Sequence, residues 1–249
     1  MNAYPTGILA DRKGLFHMAW VWRDTPDCST NHHLCYARSR DLKAWETSTG
    51  RRLALPLTLA NCEVVDPVPP RGGLLNSLVR LSLDAQDRPL IAYTKFDAKG
   101  HNQLHVARLE ADGWKLHQTT RWTHRWYFKG GGAIGAKIGF SALQPYGDGS
   151  RLLQSVRHPT AGSGARLLDA ATLQPVAEKP RRRSWPAEVS RVEGTFPGLR
   201  VRRMTQEHDG VTYVLRWETL GANRDRPRPK KDTPPPSRLV LYELGTPAE

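Results

Sequence analysis

Arg23, His32 and Tyr4 are residues of this chain whose types and spacing could do chemistry. Arg23 ends the aromatic run Trp20-Val21-Trp22 and opens a polar loop that carries Asp24, Asp27, Cys28 and Asn31 before His32. A guanidinium is planar and always charged, so it can grip a carboxylate through two parallel hydrogen bonds. A phenol or an imidazole can accept or return a proton. One cation and two proton carriers are the parts of an acid–base reaction on an anionic substrate. The plainer reading of Tyr4 and Arg23 is a strand-end hydrogen bond and an ion pair between Arg23 and Asp24.

The same strand ending recurs. Thr94-Lys95-Phe96-Asp97, Val156-Arg157-His158 and Leu215-Arg216-Trp217 each run a strand into one cation and then a polar loop. The four cations lie 72, 62 and 59 residues apart, and Tyr4 precedes Arg23 by 19 residues, as Asn76 precedes Lys95. Tyr4, Arg23 and His32 are therefore the candidate catalytic set. Asn31, Lys95, Arg157, His158 and Arg216 are the candidate substrate-binding residues. Solvated strand ends are the alternative for the later cations.

Strands must position these groups. Alternating, aromatic and β-branched runs predict them at 15–22, 34–37, 78–83, 90–93, 103–109, 114–118, 152–156, 211–215 and 239–244. No capped amphipathic helix stands out. Aligned on its cation, each unit reads strand, turn, strand, loop, strand, with short fourth strands at 45–47, 114–118 and 173–177. Four-stranded antiparallel units repeated radially make a β-propeller. The expected fold is all-β, a single propeller domain over residues 1–249 with about four blades. No room remains for a fourth strand after Tyr242, and Met1 leads directly into a strand, so the sequence predicts missing N-terminal blades.

Thirty-seven basic against 24 acidic residues leave a formal charge of +13. That balance favours polyanions. No nucleic-acid motif has the right spacing, and no apolar run is long enough for a membrane span. Nucleic acid, acidic polysaccharide and anionic lipid are the polyanions this charge could meet, an Arg-rich solvated surface is the plainer reading, and an open propeller would add self-association. The start, MNAYPTGILADRKG, lacks the regions of a signal peptide, which leaves localisation open. Three cysteines, Cys28, Cys35 and Cys62, are too few for a disulfide framework.

Ser39-Arg40-Asp41-Leu42-Lys43-Ala44-Trp45 resembles the Asp-box, a turn between the third and fourth strands of a blade, one residue short and without its glycine. Together with WRDTPDCSTNHHLCYARS, IAYTKFDAKGHNQLHVARLE, YFKGGGAIG, VRHPTAGSG and RWETLGANRDRPRP, it makes the chain resemble the BNR-repeat (Asp-box) propeller proteins. These are related to the lyases that cut ulvan, a sulfated, uronate-containing polymer. The likeness runs from Met1 to about Leu244. It implies a propeller of roughly seven or eight blades, of which this chain is like the C-terminal half.

The resemblance also implies β-elimination. A cation neutralises the uronate carboxylate, a base removes the C5 proton, and an acid protonates the leaving oxygen. The family's histidine pair, one tyrosine and its arginine come from an earlier blade that has no counterpart here. Its second tyrosine, in an Asn-Ala-Tyr-Pro context, matches Tyr4. No cofactor is required for that reaction. Relatives carry a structural zinc on His and Cys, and His33 and Cys35, which share one face of a regular strand, offer such ligands with Cys28 or His17. Buried cysteine packing is the alternative.

Three functions follow: a lyase on acidic polysaccharide, a module that binds anionic glycan without cutting it, and a sialidase-like hydrolase using Glu193 or Glu218. Gly130-Gly131-Gly132 lacks a following P-loop lysine and reads as a tight crossing. Arg181–Arg183 reads as a solvated charge run or an anion contact. Pro227–Ser237 reads as an extended, solvated loop. His101, His105, His117, His124 and His208 read as surface or strand residues.

Overall fold

Strands make up nearly all of the regular structure, as the sequence pattern predicts. The computed structural model describes residues 1–132, 134–180, 185–208, 211–221, 223 and 227–245. They fall into two compact units, Met1–Pro180 and Arg181–Glu249. Arg181–Arg183 lies outside the described residues.

The first unit holds three antiparallel sheets. In the first sheet, β1 (Asn2–Pro5) and β2 (Leu9–Ala10) both pair with β3 (Phe16–Arg23). β3 pairs with β4 (Asn31–Ser39), which in turn carries β5 (Trp45–Glu46) and β6 (Glu63–Asp66). Its first and fourth positions are thus each filled by two short strands. The second sheet runs in chain order: β7 (Arg80–Leu83), β8 (Pro89–Phe96), β9 (Asn102–Glu110) and β10 (Gly113–Gln118). The third has β11 (Gly139–Phe140) and β12 (Gln144–Tyr146) on one side of β13 (Arg151–His158), with β14 (Gly162–Asp169) on the other. Residues 173–177 add only an isolated bridge, Leu168 to Pro175, rather than the fourth strand expected there.

The second unit holds one three-stranded sheet, β15 (Arg200–His208), β16 (Val211–Thr219) and β17 (Val240–Leu244), and a single-turn helix, α1 (Ala187–Ser190). β15 was not expected. Its sequence, RVRRMTQEH, is polar and its residues 202–206 are exposed, so it lacks the alternation that betrays a half-buried strand. These meandering antiparallel sheets are propeller blades.

One hairpin loop recurs. At Asp11–Leu15, Asp84–Arg88 and Asp97–His101, the aspartate accepts hydrogen bonds of 2.8–2.9 Å from the amides two and four residues on. The fourth residue turns left-handed: Gly14 at φ +75°, Asp87 at +61°, Gly100 at +79°. Ser39–Trp45 folds around Asp41, which accepts from the amides of Lys43 and Ala44, while Ser39 Oγ donates to the Ala44 carbonyl at 2.6 Å. Trp45 then packs with Trp20, Trp22, Cys35 and Ala37 on one face of the first blade.

Apolar seams join the blades of the first unit. Val21, Leu34 and Tyr36 of the first meet Ile91 and Tyr93 of the second. Leu90, Leu104 and Val106 of the second meet Leu152 and Leu168 of the third, with Trp126 and Phe128 from the intervening segment. Gly130 returns to the first blade: its amide donates to Asp27 Oδ1 at 2.8 Å, and its carbonyl accepts from Cys28 at 2.9 Å. Pro227–Ser237 is largely exposed and contains one 3-10 turn, Lys230–Asp232.

Candidate functional site

β1 pairs with β3 so that Asn2 lies opposite Arg23 and Tyr4 opposite Val21. Arg23 Nη2 donates a short hydrogen bond to the Tyr4 hydroxyl, and its guanidinium carbon lies 4.2 Å from the Tyr4 ring centroid. Because the guanidinium is the donor, the phenol keeps its own proton to give. Arg23 meets no carboxylate among the described residues. Asp24, the partner expected from sequence, instead faces His32, with 3.1 Å between Oδ1 and Nε2.

Strand alternation would place His32 and His33 on opposite faces. Two irregularities undo it. The β3–β4 register shifts between Val21 and Trp22, and His33 sits at φ +47°, a left-handed conformation uncommon for a residue with a side chain. The His33 amide donates to the Val68 carbonyl at 2.9 Å. The two rings then meet edge to face, with centroids 4.8 Å apart and Nδ1 atoms 2.6 Å apart.

One of these Nδ1 atoms must donate and the other accept. If His32 directs its Nε2–H at Asp24, neutral His32 accepts at Nδ1, His33 donates from Nδ1, and His33 Nε2 keeps a lone pair. His32 is buried and His33 half-buried. Burial, then the neighbouring His32, holds the His33 pKa below the usual histidine value against the opposing pull of Asp24 and Asp66. His33 is therefore a neutral base at pH 7.

Asp66 links the first two blades. It lies opposite Leu34, and its Oδ2 accepts from the Tyr93 hydroxyl and, at 2.6 Å, from Lys95 Nζ. Burial and then the Asp66 charge push the Tyr93 pKa well up. His105 lies against Tyr93, 5.7 Å between centroids. Burial, then the Lys95 charge, pushes its pKa down to about 4.

The remaining candidates separate by burial. Asn31 is buried: Nδ2 donates to the Cys28 carbonyl at 2.5 Å and reaches Asn76 Oδ1 at 3.4 Å, pinning the loop before β4. His158 is buried, stacks 4.2 Å from Trp122, and accepts at Nδ1 from the amides of Thr160 and Ala161. It closes its hairpin much as Asp97 closes the preceding one. Arg216, in the second unit, is buried and engaged by Glu218 and the Arg191 carbonyl. These contacts engage all three side chains within the fold, although Arg216 still lines an open cleft with Glu218, Pro235 and Ser237. Arg157 is exposed and donates to the carbonyls of Ala136 and Lys137. The Lys95 side chain remains 23% exposed.

The zinc ligands do not assemble. Cys35 lies on the tryptophan face, with its Sγ 3.6 Å from that of Cys62. His17 instead contacts Tyr36, 2.6 Å from Nδ1 to the hydroxyl, and Tyr36 packs in the seam on the other face. Cys28 packs in the second seam. Among the described residues no group of three or more His, Cys, Asp or Glu side chains is placed to hold a metal ion.

Residues 1–122 match the BNR repeat-containing family. No curated protein sequence matches the chain. Among solved structures, an ulvan lyase is 14% identical with a TM-score of 0.49, over 98% of this chain and 51% of that one. A structure of that lyase bound to a GlcA–Rha3S oligomer gives the same figures. The α-L-arabinanase of Cellvibrio cellulosa is 12% identical with a TM-score of 0.39, over 96% of this chain and 72% of its own. The β-propeller domain of the Trilobed protease from Pyrococcus furiosus is 11% identical with a TM-score of 0.37, over 98% and 71%. The chain thus spans about half the length of the ulvan lyase. The residues that match the BNR repeat-containing family, 1–122, form antiparallel blades.

Proposed function

We propose that this protein binds acidic polysaccharide and cleaves it by β-elimination at the strand end of its first blade. The observation that carries the reading is the chain Asp24–His32–His33, one residue along from an arginine that has no carboxylate partner among the described residues. Arg23 binds the uronate carboxylate, which acidifies the C5 proton. His33 Nε2 takes that proton, the C4–O bond breaks, and the leaving oxygen takes the Tyr4 hydroxyl proton. The product carries a C4–C5 double bond, and solvent restores both protonation states. Asp24 and His32 fix the tautomer that leaves His33 Nε2 basic, a positioning role. The +13 charge supports a polyanionic ligand.

A second reading, a module that binds without cutting, needs only the +13 charge and the exposed cations. One experiment separates the two: ultraviolet absorbance of unsaturated uronate, followed with ulvan and other uronate polymers, beside retention on the same polymers immobilised. Product formation that His33→Ala abolishes supports the lyase. Retention without product leaves the binding module. Neither retention nor product defeats both. The hydrolase reading loses support because the Glu218 carboxylate is already engaged by Arg216 and by the amides of Glu193 and Gly194.

A further inference from the structure

A second feature of the first unit has no part in that chemistry. Between the loop after β3 and the segment that follows β10 lies an open cleft of about 200 Å³, walled by Phe96 and Tyr127 and edged by Arg71 and Lys129. Tyr127 is 73% exposed, more than packing would leave on a large aromatic ring. The Arg125 guanidinium lies 4.1 Å from its centroid and 4.8 Å from that of Phe96. The two rings are 6.4 Å apart and inclined at 52°.

Backbone contacts fix the Phe96 wall and the two cationic edges. The Phe96 amide donates to the Gly72 carbonyl at 2.8 Å, and a Cβ on Gly73 would stand 2.8 Å from the Phe96 ring. Gly73, at φ +85°, is what lets that ring sit there. The Arg71 amide donates to the Ser29 carbonyl at 2.7 Å. Lys129 is carried next to Gly130, whose amide is tied to Asp27. Asp27 also lines the cleft, but its Oδ1 already accepts from the amides of Ser29 and Gly130, which hold its pKa low, with Arg71 adding to the effect. Arg71 and Lys129 form no ion pair among the described residues.

Rigid aromatic walls suit the apolar face of a sugar ring, and two unpaired cations suit a carboxylate or sulfate on it. We propose that this cleft is a subsite for an acidic sugar unit of the polymer, apart from the Tyr4–Arg23 pair: Tyr127 and Phe96 hold the ring, while Arg71 and Lys129 hold its charge. This rests on acidic polysaccharide being the ligand.

The test is titration calorimetry of the full chain with a galacturonate oligosaccharide, beside a neutral malto-oligosaccharide of the same length. Variants are Tyr127→Ala, Arg71→Gln, Lys129→Ala and Arg23→Ala. All four side chains lie at the surface or partly so, and unchanged melting confirms folding. Tyr127→Ala should weaken galacturonate binding about tenfold. Arg71→Gln and Lys129→Ala should each weaken it about three- to tenfold and flatten its salt dependence. Wild-type affinity in all three cleft variants, with loss in Arg23→Ala, would overturn the subsite and leave the functional reading standing. Loss in the cleft variants with Arg23→Ala unchanged would support the subsite and count against the Arg23 site. No binding by the wild-type chain, or equal binding of the neutral sugar, would overturn the subsite.

Discussion

The Nδ1 atoms of His32 and His33 lie 2.6 Å apart although the two residues are neighbours on one strand. A regular strand would send their rings to opposite faces. The contact exists because the register slips beside it and because His33 adopts a left-handed backbone. Strain of this kind is tolerated where the surroundings over-determine it, and here Asp24 and Val68 do so from either side.

Removing the proposed base should cost the most. His33→Ala is expected to lower kcat about 10²- to 10⁴-fold with little change in KM. Asp24→Asn keeps the shape but loosens control of the tautomer, and should lower kcat about tenfold or more while shifting its pH profile. Steady-state rates across pH on a uronate polymer check both. An Asp24→Asn profile identical to wild type would remove the positioning role.

Arg23→Lys keeps the charge but loses the planar pair of donors. It should weaken uronate polymers about tenfold and sulfate-only polymers less. Tyr4→Phe should leave affinity in place and remove most of the rate, because only a proton donor has been lost. Equal losses on both polymers for Arg23→Lys would show that charge alone matters.

His105 makes the fold sensitive to acid. The unfolded chain titrates near 6.5, whereas the buried native group titrates at about 4. Below the unfolded value the unfolded state takes up a proton that the native state resists. Its stabilising contribution is therefore full above pH 6.5 and is lost as pH falls towards 4, by about 3 kcal/mol. Urea unfolding of His105→Phe should show a flatter acid limb than wild type.

Cys62 should alkylate before Cys35. The contact between the two sulfurs, 3.6 Å apart, holds the Cys62 pKa at about 7, while the same contact and burial push Cys35 far up. The thiolate fraction of Cys62, and its rate with iodoacetamide, should rise as pH climbs through 7. Peptide mapping of a short pulse would identify the labelled residue, and preferential labelling of Cys35 would contradict the assignment.

Two leucines share one backbone conformation and should respond with opposite sign. Leu42 has φ +62° and is 44% exposed, so Leu42→Gly should relieve strain and stabilise by about 0.5–1 kcal/mol. Leu173 has φ +58° but is fully buried, so Leu173→Gly should destabilise by about 2–4 kcal/mol through the cavity it leaves. Chemical denaturation of both variants decides.

The strands were legible wherever one face is apolar: residues 15–22, 90–93 and 103–109 foretell β3, β8 and β9 to within a few residues. β15 was not, since both of its faces are polar. For the site, the repeated 19-residue spacing pointed to Tyr4 and Arg23 as neighbours on one rim, and the two side chains do meet. The meeting of His32 with His33 did not, because a bulge leaves no periodic trace in sequence. The burial of His158 and Arg216 was hidden for another reason. A strand-end cation or imidazole reads the same whether it faces solvent or closes its own loop.

The recurrent five-residue loop sets the longer loop of the first blade in relief. Between β8 and β9 the chain closes the hairpin with Asp97–His101. Between β3 and β4, at the corresponding place, it uses the longer stretch 24–30. The short closure suffices for one hairpin, whereas the longer one also buries Cys28 in the second seam and ties Asp27 and Cys28 to Gly130. Trading it for Asp-Ala-Lys-Gly-His should therefore lift out Asp24, the buried Cys28 and the tie between Asp27 and Gly130 together, and loosen the segment that carries Trp126 and Phe128.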